Sequence, residues 1–145
     1  MTTYLEGFIH YMLTGYDIYH HLNLKHTASL FGIYIGKQEI SGTWGPLKIG
    51  RCSNAVALQR GRSQGGANWW FFSYYVVPNR ETTWVVEGES KPLLRAYRMD
   101  GAQRQRELYD MPIVQARLVL ENLVYNQTNQ IIDVVDQILT LNLHK

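Results

Sequence analysis

Residues 31 to 62 read FGIYIGKQEISGTWGPLKIGRCSNAVALQRGR, two apolar runs marked by glycines, with cations gathered behind the second. The first run, Leu30 to Gly36, is rich in aromatic and β-branched residues, which suit a pleated, half-buried backbone. A second short run spans Leu47 to Gly50, and Gly42 and Gly45 between them let the chain turn back. The pattern predicts two antiparallel strands. Alternate positions share a face in such a pair, so Tyr34 and Lys48 are expected near each other. Ser53 or Asn54 can then cap a helix to about Arg62, which carries Arg60 and Arg62.

Trp69 to Val77 (WWFFSYYVV) is the most strand-like segment, bounded by Gly66 and Pro78. Apolar residues on both its faces predict a central strand. Thr82 or Thr83 is expected to open a helix carrying Glu87, with Leu93, Leu94 and Tyr97 as its buried stripe. Pro92 lacks a donor, so that helix either kinks or begins near Ser90 with Glu87 on the approach. Arg104 to Tyr109 is the last strand candidate. Before residue 31, Tyr4, Phe8, Tyr11 and Met12 stand at helical spacing closed by Thr14-Gly15, and a second short helix is expected from about Tyr16 to Leu22. His20 and His21 diverge by about 100° on a helix and are read as surface or DNA-contacting residues, not a metal pair. Pro112 suits the first turn of a helix to about Tyr125, with Ile113, Ala116, Leu120 and Val124 on one face. A last helix from Thr128 or Asn129 to about Asn142 presents Ile131, Val134, Val135, Ile138, Leu139 and Leu141, and either covers the sheet or makes a dimer contact.

A chain of 145 residues with no repeat or linker fits one compact α+β domain. The single Cys52 forms no internal disulfide, and no apolar run approaches the roughly 20 residues of a membrane helix. These features, with no signal-peptide pattern at the N-terminus, lead us to expect an intracellular protein, cytoplasmic or nucleoid-associated. The net charge of +2 hides a segregation. Residues 48 to 106 hold ten Lys and Arg against four Asp and Glu, while the flanking parts are each acidic. Such a concentration beside the hairpin suits a phosphate-backbone partner, because cations release counterions from a polyanion.

GIY at 32 to 34 and KIG at 48 to 50, followed by an arginine-bearing segment, resemble the catalytic hairpin of the GIY-YIG nucleases. Lys48, in place of the usual tyrosine, is similar to a branch common in phage and viral proteins. Glu87-Gly-Glu-Ser-Lys-Pro-Leu-Leu-Arg-Ala-Tyr-Arg98 resembles that family's helix of a metal-binding glutamate, two leucines and an aromatic-arginine pair, and Glu107-Leu-Tyr109 its closing strand. The resemblance implies a small, mainly antiparallel sheet of about three strands flanked by helices. Residues 29 to 110 would be the catalytic domain, residues 1 to 28 an N-terminal helical extension, and residues 111 to 145 C-terminal helices on the same domain or at a dimer interface.

The implied activity is a metal-dependent endonuclease hydrolysing phosphodiester bonds in DNA, with RNA also open. Glu87 would hold Mg²⁺, or Mn²⁺, and Tyr34 would orient or deprotonate the attacking water. A tyrosine has an ordinary pKa of about 10, so that task needs a nearby cation, and Lys48 is one. Arg60 is the expected catalytic arginine, assuming a small insertion relative to the family spacing, with Arg62 a second candidate. Arg51, Arg62, Arg95 and Arg98 are the expected nucleic-acid contacts. Each residue also has a plainer reading: Tyr34 a hairpin tyrosine, Lys48 an edge-strand lysine that discourages aggregation, Glu87 and Glu89 a solvated helix face. Two rival functions keep the scaffold, a nucleic-acid-binding module without turnover and a phage or viral protein-interaction factor.

Overall fold

The structure, a computed structural model, describes residues 2–5, 8–25, 31–52, 68–99 and 108–143. The predicted hairpin forms, with β3 (Phe31–Ile40) antiparallel to β4 (Thr43–Cys52) and Tyr34 opposite Gly50. Ser41 and Gly42 make the two-residue turn, both at positive φ (50° and 82°). Glu39 accepts the Gly42 N–H at 2.9 Å. Two such residues in sequence match the twist of the flanking strands, and Asn tolerates the left-handed region better than Ser. Ser41→Asn should therefore raise stability by about 0.5 kcal/mol, seen as a melting temperature a few degrees higher.

β3 lies between β4 and β5 (Asn68–Val77), and β6 (Leu108–Tyr109) adds to the far side of β4, giving the order β5-β3-β4-β6, antiparallel throughout. The fold is thus α+β with a four-stranded sheet, one strand more than the resemblance implies, and the last strand candidate supplies Leu108–Tyr109, which pairs with Leu47 and Lys48. The WWFFSYYVV segment sits at an edge, not at the centre. Its residues are apolar on both sides because helices cover both faces, and two isolated bridges, Leu13 to Phe71 and Asp133 to Tyr75, shield its outer backbone.

On one face, α2 (Arg80–Leu93) and α3 (Ile113–Thr128) bury Val86, Leu94, Ile113, Ala116, Leu120 and Val124 against Ile33, Ile35, Leu47 and Ile49. On the other, α1 (Gly15–Lys25) and α4 (Val134–Leu143) bury Ile18, Leu22, Val134 and Val135 against Phe71, Tyr74 and Val76. Each fully buried Ile or Leu contributes roughly 2 kcal/mol through loss of apolar surface to water. The last helix therefore covers the sheet.

The N-terminal helix expected over Tyr4 to Met12 is instead a two-stranded ribbon, β1 (Thr2–Leu5) against β2 (Phe8–Tyr11). Thr14 does not end a helix; it begins one, since its hydroxyl accepts the Asp17 N–H at 3.3 Å and the Asp17 carboxylate accepts the Thr14 N–H at 3.2 Å. Asn79, not Thr82 or Thr83, caps α2 by accepting the Thr82 N–H at 2.8 Å. Pro92 falls in the last turn, where the helix is about to end, so Glu87 sits well inside it. Leu93 is exposed and Leu94 takes the buried place. α3 runs on to Thr128 and stops at Asn129 in the left-handed conformation, which delays α4 to Val134.

Candidate functional site

Gly32 and Gly50, the glycines of the two motifs, are seats for aromatic rings. A Cβ on Gly50 would stand 2.4 Å from Cζ and Oη of Tyr34, and a Cβ on Gly32 2.3 Å from Cε1 of Tyr74. Only a residue without a side chain lets these rings lie flat on the strands. The Tyr34 ring also meets Phe71 edge-on at 5.2 Å. Lys48 stands on the same face, its Nζ 6.0 Å from the Tyr34 ring centroid and 5.3 Å from that of Trp69. β6 pairs beside it, so Lys48 is not on a sheet edge.

Glu87 lies elsewhere. Its Oε1 is 3.6 Å from Arg51 Nε and 3.6 Å from Lys91 Nζ, and its side chain is largely buried beneath them. Lys48 and Arg51 are three positions apart on β4 and so leave the strand on opposite faces. α2 packs with Ile33 and Ile49, whereas Tyr34 packs with Phe71 and Tyr74. The sheet therefore separates Glu87 and Arg51 from Tyr34 and Lys48. Arg51 also places its guanidinium 5.6 Å from the ring centroid of Trp84, which is half exposed.

No family model, curated protein or solved structure matches the chain. What the arrangement can do must be read from its own groups. Tyr34 is partly exposed and stands next to a cation. Tyr74 is a contrast. Burial, and then Cys52 beside it, push its pKa well above the ordinary tyrosine value, which fits it for packing, not for proton transfer.

Among the described residues, no group of three or more His, Cys, Asp and Glu is arranged to hold a metal ion. Glu87 does not fit a Mg²⁺ or Mn²⁺ shared with Tyr34, since the sheet lies between them and two cations already compete for Oε1. Arg60 and Arg62, with the helix expected to carry them, lie outside the described residues, as do Arg104 and Glu107. Arg95 and Arg98 are exposed in the 3₁₀ turn (Arg95–Tyr97) and bridge that follow α2. His20 is exposed and stacks on Tyr16, while His21 turns to Gln137 at 3.1 Å.

Trp84 is the feature that the sequence reading passed over. The available signal was its phase: it lies off the stripe of Thr83, Val86, Glu87 and Ser90 that α2 buries. A separate cleft of about 610 Å³, lined by residues including His21, Ile132, Asp136, Gln137 and Leu141, contains none of Tyr34, Lys48, Arg51, Glu87, Arg95 and Arg98. Among the described residues, no helix is long and apolar enough to cross a membrane.

Proposed function

We propose that the chain is a GIY-YIG-type endonuclease that cuts phosphodiester bonds in DNA, with Tyr34 and Lys48 as its reacting pair. The observation that carries this reading is the placement of a phenol and an ammonium on one sheet face, over the glycine of the second motif. A cation beside a phenol favours its ionised form, which can take a proton from an attacking water. The same ammonium can meet the charge that grows on a phosphoryl oxygen. The excess of Lys and Arg over residues 48 to 106 suits the polyanion. The Mg²⁺ or Mn²⁺ that the resemblance implies would supply charge neutralisation and an activated water. In this arrangement Glu87 reaches only an ion on its own side of the sheet.

That placement of Glu87 favours a second reading, a nucleic-acid-binding module on the same scaffold that does not turn over. One assay separates the two: supercoiled plasmid and single- and double-stranded oligonucleotides with Mg²⁺, Mn²⁺ or EDTA, comparing wild type with Tyr34→Phe, Lys48→Met and Glu87→Gln. A nuclease should lose about 100-fold or more of its rate in Tyr34→Phe, the usual worth of a general base. Binding without cutting in wild type would select the module. A protein that does neither would leave the protein-interaction factor.

A further inference from the structure

Trp84 is 51% exposed on α2, although the residues beside it in the helix, Thr83, Val86, Glu87 and Ser90, are buried. An exposed indole offers a flat π face to a ligand, and a cation beside it adds to that attraction. The indole is not left to itself. Arg51 lies over it, and Glu87 pairs through one oxygen with both Arg51 and Lys91, so one cation stands against the ring and a second is tied to the same carboxylate. Helical side chains lean toward the N-terminus, so a side chain at position 88 would cover the turn containing Trp84. That position is Gly88, and a Cβ there would meet nothing within 4 Å. The helix surface on the C-terminal side of Trp84 is therefore open at position 88.

We propose that Trp84 is a stacking platform for an unpaired nucleobase, with Arg51 and Lys91 holding the adjoining phosphates. The proposal rests on the nucleic-acid reading above and narrows its ligand to single-stranded or unpaired DNA or RNA, since a base within a duplex has both faces occupied. Every base offers a π face, so recognition is indifferent to sequence.

The test is fluorescence anisotropy with three labelled probes: a short thymidine oligonucleotide, an abasic strand of the same length and charge, and a duplex. Wild type should prefer the thymidine strand to both others. Trp84→Ala should weaken binding to it by about tenfold and leave the abasic strand unchanged, the size expected for one stacked base. Gly88→Gln puts a good helix former over the indole, so it should weaken thymidine binding without lowering the melting temperature. Equal affinity of wild type for thymidine and abasic strands, or an equal loss on both in Trp84→Ala, would overturn stacking and leave the nucleic-acid reading intact. Binding to no probe would overturn both.

Discussion

Gly32→Ala should lower unfolding free energy by about 3 kcal/mol, at the upper end for overpacking a core. The new Cβ would lie 2.3 Å from Cε1 and 2.4 Å from Cζ of Tyr74. Tyr74 is fully buried among Ile18, Leu22 and Val76, under α1 and α4, so its ring has nowhere to go. The backbone of β3, the strand flanked on both sides, has to yield instead. Gly50→Ala looks alike in sequence but should cost only about 1 kcal/mol, because the Tyr34 ring is partly exposed and can swing outward. That swing carries the phenol away from Lys48, so on the proposed nuclease reading cleavage should fall with little change in fold. Urea unfolding followed by tryptophan fluorescence measures both. Tyr74→Leu in the Gly32→Ala background supplies the control, since removing the ring should recover much of the loss. A cost below about 1 kcal/mol for Gly32→Ala would mean that the ring does not rest on that glycine.

The same two glycines show how far the sequence could be read. The strands, a turn between them at one of the glycines, Gly42, and the approach of Lys48 to Tyr34 follow from composition and alternation between residues 31 and 52, because hairpin geometry is local. The position of Glu87 is not local. Its helix was expected from Thr82 or Thr83, a few residues past the actual Asn79 cap, but the face of the sheet on which α2 lands depends on packing of Val86 and Leu94 against Ile33 and Ile49. Alternation alone would have separated Lys48 from Arg51; nothing in the spacing tied Glu87 to Arg51. The N-terminal ribbon was misread for a different reason. Over ten residues, positions 4, 8, 11 and 12 satisfy a helical period as well as short strands do, and short segments leave the two periods unresolved. At WWFFSYYVV, burial on both faces was read correctly, but edge or centre depends on what shields the outer backbone. Here that is Leu13 and Asp133, remote from the strand in sequence.

Asp133 supplies the second large effect. Asp133→Ala should cost about 3 kcal/mol, because one carboxylate serves two elements at once. Its Oδ1 accepts the Tyr74 N–H on the outer edge of β5 at 2.9 Å and the Val135 N–H in the first turn of α4 at 3.1 Å. Its Oδ2 lies 3.4 Å from the Arg117 guanidinium, which also reaches Asp136 and Glu121. Alanine would leave two N–H groups without acceptors next to the core. Asparagine keeps the Oδ1 acceptor, and Arg117 keeps its other two carboxylates, so Asp133→Asn should cost under about 1 kcal/mol. Burial raises the Asp133 carboxyl to about 7, outweighing the Tyr74 and Val135 N–H bonds and Arg117, which pull it down, while Asp136 adds to the rise. An unfolded aspartate titrates near 3.9, so between about pH 4 and 7 the folded protein holds a proton that the unfolded chain has lost. The contribution of this group to stability is therefore greatest in acid and declines as pH rises through 7. Wild type should be more stable at pH 5 than at pH 7.5 by on the order of 2 kcal/mol from this group, and Asp133→Asn should flatten that slope. Urea unfolding across this range decides it: an Asp133→Asn slope identical to wild type would show that the proton is bound elsewhere.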